Sequence, residues 1–146
     1  MTDPQSVLIV DDSVVFGRAL TAMCGALGLP VCGVASTVSD GLRLARTARP
    51  GIVLMDVVLP DGDGFVATAR MRADRPEVVV IMVSAHDDPA YAKMALAAGA
   101  VGFISKARLD SELEPALRSL CCLGATERNE EGGADAGAVV GGRSDS

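Results

Sequence analysis

The chain has 146 residues, 49% of them apolar but only 3% aromatic, and a net charge of -6. That length suits one domain of ordinary size with a real core, and the scarcity of rings leaves Val, Leu, Ile, Ala and Met to fill it. The acidic balance argues against non-specific nucleic-acid binding, which needs clustered Lys and Arg, and no apolar stretch approaches the roughly 20 residues of a membrane helix.

At the N-terminus, "MTDPQS" carries neither a basic region nor an apolar signal segment, the pattern of a cytoplasmic protein. Five runs rich in Val, Ile and Leu then recur at residues 7–10, 31–35, 52–55, 78–83 and 101–104. Each is continuous rather than alternating, which predicts strands buried on both faces. Segments of helical spacing separate them. Phe16, Leu20, Met23 and Leu27 mark the first; Val38, Leu42 and Ala45 the second; Phe65, Ala69, Met71 and Arg72 a weaker third. Residues 90–98 form the fourth, and Leu109, Leu113, Leu117 and Leu120 mark the fifth. Gly28 can close the first helix, Asp88 and Pro89 make an N-cap and first-turn pair for the fourth, and Gly99 can end it. Strand alternating with helix predicts an α/β domain: a five-stranded parallel sheet with helices on both faces, joined by right-handed crossovers.

After Cys122 the composition changes. Residues 123–146 are Gly-rich and acidic, and are expected to form a flexible tail or linker stub behind a domain spanning 5–122. The four cysteines, Cys24, Cys32, Cys121 and Cys122, show no metal-ligand spacing and read as reduced thiols.

In an open parallel sheet, function gathers beyond the carboxyl ends of the strands. The first run is followed by Asp11 and Asp12, the third by Asp56, the fourth by Ser84 and the fifth, one residue on, by Lys106. If those strands are neighbours, three carboxylates and one ammonium leave a charge of about -2 at one edge. Hard oxygen donors without His or Cys suit Mg2+, which would neutralise that charge. An ionised aspartate beside Mg2+ and a lysine can attack a phosphoryl group, and a serine hydroxyl can then meet the added oxygens.

The acidic pair Asp11-Asp12, "MDVVLPDGDG" around Asp56, "VSA" with Ser84 and "GAVGFISK" with Phe103 and Lys106 together resemble a response-regulator receiver domain of two-component signal transduction. The segment "KARLDSELEPALRSL" is similar to the last helix of receivers that continue into helix-turn-helix output modules. The resemblance implies a flavodoxin-like, doubly wound sheet of order 2-1-3-4-5. It implies a phosphoacceptor, Asp56, served by a histidine kinase or phosphotransfer protein, with Lys106 and Ser84 as catalytic partners. Asp12, Asp56 and the backbone carbonyl of Val58 would bind Mg2+ directly, and Asp11 largely through water. Ser84 and Phe103 would form a switch pair that changes the surface of the fourth helix, fifth strand and fifth helix, toward a downstream protein, an output domain or a second copy.

Several residues have plainer readings or depart from the pattern. Asp12 or Ser13 could cap the first helix, and Pro60, Asp61, Gly62, Asp63 and Gly64 read as loop structure rather than catalysis. Phe103 lacks the phenolic oxygen of the tyrosine common at the matching position. Ala107 follows Lys106 where the family commonly has proline after a cis bond; a cis bond before Ala costs about 2.5 to 4 kcal/mol, so a trans bond or a strained loop is expected. His86 reads first as a solvated loop histidine, but with Val58 it is also a candidate for setting the acyl-phosphate lifetime. Lys93, Arg108 and Arg118 are candidate exposed partner contacts. Two other functions compete: an aspartyl-nucleophile phosphatase, disfavoured because Val58 stands where such enzymes place a second aspartate, and a docking domain without the chemistry.

Overall fold

Val7, Leu8, Ile9 and Val10 are wholly buried and form β1 (Val7–Val10). The computed structural model describes residues 5–128. Within them the chain runs β1, α1 (Val14–Ala26), β2 (Val31–Ala35), α2 (Val38–Ala48) and β3 (Ile52–Asp56). It continues through β4 (Val58–Leu59), β5 (Gly62–Asp63), α3 (Gly64–Asp74), β6 (Val79–Ser84), α4 (Pro89–Ala98), β7 (Gly102–Ser105), a 3-10 turn (Lys106–Arg108) and α5 (Leu109–Arg128). The main sheet is parallel, in the order β2-β1-β3-β6-β7. This is the expected order 2-1-3-4-5, with a short hairpin of β4 and β5 inserted after the third strand.

The helix boundaries follow local chemistry. Ser13 caps α1 by accepting from Phe16 N, and Thr37 caps α2 by accepting from Asp40 N. Asp88 caps α4 with Pro89 in its first turn, and Gly99 ends it at φ 104°. Gly28, at φ 75°, follows the last residues of α1. These left-handed positions favour glycine because it has no Cβ to clash.

Burial departs from the sequence reading at the sheet edges. β1 and β3 are sealed on both faces, but β2 is only half-buried, with Val34 51% exposed, and β7 is buried only at its end. Each edge strand has a neighbour on one side alone, so an apolar run is a necessary mark of a central strand here and an insufficient one. The face of α3 also differs. Gly64, Ala67, Thr68 and Met71 are buried, whereas Ala69 is exposed; small residues bring this helix close to the sheet, and they leave little hydrophobic signal.

The "PDGDG" loop is structural in a specific way. Asp61 accepts from Val38 N at 2.7 Å and Ser39 N at 3.1 Å, which ties the hairpin to the start of α2. Those two backbone donors hold its carboxyl below the ordinary carboxylate range. Asp63 caps α3 by accepting from Val66 N at 2.8 Å. Gly64 donates its N–H to Val57 O at 2.7 Å, and a Cβ there would lie 2.0 Å from the carbonyl oxygen of Asp56 and 2.9 Å from Met82 Cε.

The chain divides into two units, residues 1–114 and 115–146. The first holds both sheets. In the second, α5 continues from Pro115 to Arg128, six residues into the segment read as a tail; the rest of that segment, 129–146, lies outside the described residues. Among the described residues no peptide bond is cis, so 106–107 is trans, and no helix is long and apolar enough to cross a membrane. Cys24, Cys32 and Cys121 are free thiols, and burial pushes Cys24 up to about 11, which suppresses the reactive thiolate.

Gly64→Ala is expected to destabilise the protein by about 1 to 3 kcal/mol through overpacking against a backbone that cannot yield, and to move the backbone amide resonance of Asp56. Chemical denaturation and an amide NMR map check this; an unchanged midpoint would show that the α3 terminus tolerates a side chain.

Candidate functional site

The three predicted carboxylates converge. Ligand-capable oxygens of Asp11, Asp12 and Asp56 all lie within 4.8 Å of one another. β1 and β3 are adjacent with Val10 opposite Met55, so the residues that follow them emerge side by side. Asp11 and Asp56 are buried, at 4% and 7% exposure, while Asp12 is exposed.

Lys106 reaches this cluster from the end of β7. Its Nζ lies 2.9 Å from Asp11 Oδ2 and 3.5 Å from Asp56 Oδ2, with little of its side chain exposed. The Asp56 approach is a long hydrogen bond. The Asp11 approach is an ion pair without a directed hydrogen bond, so Asp11 Oδ2 remains a buried oxygen with unused acceptor capacity. On its other side the ammonium stands 4.2 Å from the centre of the Phe16 ring.

Asp56 Oδ1 accepts from Val57 N at 2.8 Å, and Asp11 Oδ1 accepts from Ser13 N at 2.8 Å. Burial pushes the Asp56 carboxyl up to about 6 and the charge of Asp11 adds to this, against the opposing pull of Lys106 and the Val57 N–H. Asp56 is therefore mostly ionised at neutral pH but held there at a cost. All-oxygen donors with an unused buried acceptor make this a site that could hold a metal ion; Asp11, Asp12 and Asp56 supply side-chain ligands.

Ser84, wholly buried, ends β6, the strand between β3 and β7. Its Oγ accepts from His86 N at 3.0 Å, a bond that uses a lone pair and leaves the hydroxyl hydrogen to be donated elsewhere. Phe103 is half-buried and pairs in register with Met82. Val58, in the hairpin, is 55% exposed.

Two features escaped sequence reasoning. Tyr91, the one tyrosine, gathers three other rings: Phe65 at 5.6 Å, His86 at 5.9 Å and Phe103 at 6.5 Å between ring centres, all edge-on. His86 is thus exposed but not merely solvated. The scarcity of rings was a signal available in the composition, although nothing local says that they meet. Second, Arg108 makes a forked pair with Asp87 at 2.8 and 3.2 Å and a third bond to Glu112 at 3.0 Å. It ties the β6–α4 loop to the turn after Lys106 and is not a free surface charge. Hydrogen bonding from Arg108 holds the Asp87 carboxyl below its ordinary value.

A groove of about 490 Å3 opens beside the site, lined by Asp11, Asp12, Val14, Gly17 and Arg18 on the α1 side and by Val34 on β2.

The response regulator receiver domain model matches residues 7–118. The chain belongs to that family. It is 33% identical over 115 residues to the response regulator GacA of Pseudomonas aeruginosa, covering 78% of this chain and 54% of that protein. It therefore spans about half the length of the curated relatives it matches. Among solved structures, a two-component response regulator of the LuxR family from Aurantimonas superposes with a TM-score of 0.70 at 27% identity, covering 84% of this chain and 96% of that one. The CheX–CheY–BeF3–Mg2+ complex from Borrelia burgdorferi gives a TM-score of 0.67 at 29% identity, covering 69% of this chain and 77% of that one. As a receiver domain, the chain is a phosphoacceptor signalling switch, and the phosphatase reading is not favoured.

The raised Asp56 carboxyl carries a pH signature. An acid whose folded pKa exceeds its unfolded value binds its proton more tightly when folded, so the stability it contributes is fully present below about 3.8 and is lost as pH rises through about 6. Without divalent metal, Asp56→Asn is expected to flatten that decline and to raise stability at neutral pH by about 1 kcal/mol, the full linkage value being reduced by solvent screening at the mouth of the site. Denaturation curves of both proteins between pH 4 and pH 7, in chelator, test it; parallel curves would mean that Asp56 is not electrostatically stressed.

Proposed function

We propose that Asp56 is the phosphoacceptor of this receiver, that the phosphoryl donor is a histidine kinase or phosphotransfer protein, and that Mg2+ is the required ion. The observation that carries this reading is the convergence of Asp56, Asp11 and Asp12 on one ammonium, Lys106, at the carboxyl edge of the sheet. The spare acceptor capacity of Asp11 Oδ2, beside its ion pair to Lys106, and the all-carboxylate donor set favour Mg2+. Asp11, Asp12, Asp56 and the carbonyl of Val58 would hold it. Bound there, the ion supplies charge neutralisation and Lewis acidity toward phosphoryl oxygens.

The chemistry of the chain's own groups is then direct. A carboxylate oxygen of Asp56 attacks phosphorus, and the bond from phosphorus to the donor nitrogen or oxygen breaks, its electron pair leaving with the donor. Lys106 stabilises charge on the transferred oxygens. Ser84 donates its hydroxyl hydrogen, which the bond from His86 N leaves available, to a phosphoryl oxygen, and this draws the β6–α4 loop toward the site. Phe103 and the ring cluster around Tyr91 repack in response, changing the surface formed by α4 and β7. The equilibrium between the two arrangements is biased by how much better the phosphoryl group fits one of them.

The groove beside α1 supports a donor approaching from that side, since it opens directly on Asp11 and Asp12 and carries exposed apolar surface at Val14 and Val34. What reads the activated surface, an output domain or a separate protein, belongs to the same proposal. So do a cytoplasmic location and the assignment of Val58 and His86 to control of acyl-phosphate lifetime.

Incubation with Mg2+ and acetyl phosphate should add one phosphoryl group to the intact mass, stable in acid and lost in base, and Asp56→Ala should abolish it. A phosphoryl group retained by Asp56→Ala would place the acceptor elsewhere. Once phosphorylated, Val58→Asn and His86→Ala proteins should lose the group at altered rates; rates equal to that of the native chain would remove both residues from lifetime control.

A further inference from the structure

We infer that Phe16 is a positioning residue for Lys106, holding its ammonium against the carboxylates of Asp11 and Asp56 through a cation–π contact. The kinetic consequence rests on the proposed role of Asp56, whereas the contact itself stands on geometry. Nζ of Lys106 lies 4.2 Å from the Phe16 ring centre, well inside the range of about 6 Å over which the ring's negative face attracts a cation. The lysine side chain is only 8% exposed, and such contacts strengthen as the cation is desolvated.

The carboxylates hold the ammonium from one side only: Asp11 Oδ2 by an ion pair at 2.9 Å without a directed hydrogen bond, and Asp56 by a long bond of 3.5 Å, while a lysine stem retains many rotamers. The ring supplies the missing side. Its placement is tied to the acidic cluster by one short turn: Asp11 Oδ1 accepts from Ser13 N, and Ser13 Oγ accepts from Phe16 N at 3.3 Å. Asp11 and the ring are therefore fixed by the same helix start, and Lys106 docks between them. The other two phenylalanines, Phe65 and Phe103, belong to the Tyr91 cluster. An aliphatic residue at 16 would fill the space without attracting a charge. Preorganising the ammonium at the reacting edge should appear in the rate of phosphoryl transfer, because it removes a reorganisation step from the barrier.

The test replaces Phe16 with mono-, di- and trifluorinated phenylalanine, which drain the ring's negative face with little change of volume, alongside Phe16→Tyr and Phe16→Leu. Phosphorylation by acetyl phosphate with Mg2+ is followed by intact mass, and the ε-methylene protons of Lys106 are observed by NMR. The rate should fall stepwise along the fluorinated series, by about three- to tenfold in all, with Phe16→Leu near the bottom and Phe16→Tyr close to native. The ε-methylene protons should be ring-shifted upfield in the native chain and return to ordinary positions in Phe16→Leu. A flat rate across the series in a chain that does take up phosphate would overturn the inference. So would unshifted ε-methylene protons, whether or not the chain is phosphorylated. Shifted protons in a chain that takes up no phosphate would uphold the contact and sink the phosphoacceptor reading instead.

Discussion

One ammonium, that of Lys106, shared between the carboxylates of Asp11 and Asp56, is the interaction on which the site depends. β7 is separated from β3 by β6, and two strand spacings amount to roughly 10 Å, so the lysine must cross the end of an intervening strand to reach its partners. That crossing explains the placement of Ser84. It ends the crossed strand, opposite Ser105 of β7, and so stands between Asp56 and the base of the lysine. In this parallel order the carboxyl ends of β1, β3, β6 and β7 lie side by side, which brings these residues to one edge.

Such an edge is unfavourable on its own. Burial above all, with the charge of Asp11 beside it, pushes the Asp56 carboxyl up to about 6. The strands that carry these aspartates offset the penalty. β1 and the apolar part of β3 are fully sealed, and each such side chain contributes on the order of 1.5 to 3 kcal/mol when removed from water. A buried run ending on a charge is therefore coherent: the run anchors a group that would otherwise swing toward solvent. Gly64 completes the arrangement from the far side, since its missing side chain lets α3 close against the Asp56 carbonyl.

Much of this was legible in the sequence because the central strands announce themselves. Val7 to Val10 and Ile52 to Met55 are continuous apolar runs, and the residues that follow them are the site. The edge strands were legible in position but not in burial, because composition does not say which strand lacks a neighbour. The β4–β5 hairpin was hidden: its strands are two residues long, and its order comes from Asp61 and Asp63 bonding to backbone N–H groups of two different helices. Pairings far apart in the chain left no trace either. Arg108 and Asp87 are 21 residues apart, and Phe16 meets Lys106 only because α1 begins where β7 ends, at the same edge.

The β6–α4 loop couples the site edge to the rest of the molecule. Four consecutive roles occupy it: Ser84 accepts from His86 N, the His86 ring abuts Tyr91, Asp87 is forked to Arg108, and Asp88 caps α4. A displacement of Ser84 toward Asp56 therefore cannot remain local. It must break the bond to His86 N or carry His86 along, and carrying His86 along disturbs the Tyr91 ring packed against Phe103. The Asp87–Arg108 fork resists that motion from the turn immediately after Lys106, so the loop is tied to the element that carries the lysine. With so few rings in the chain, their collection around Tyr91 joins the start of α4 to the loop before it and to Phe103 of β7, and packed contacts of this kind rearrange between discrete alternatives more readily than they deform smoothly.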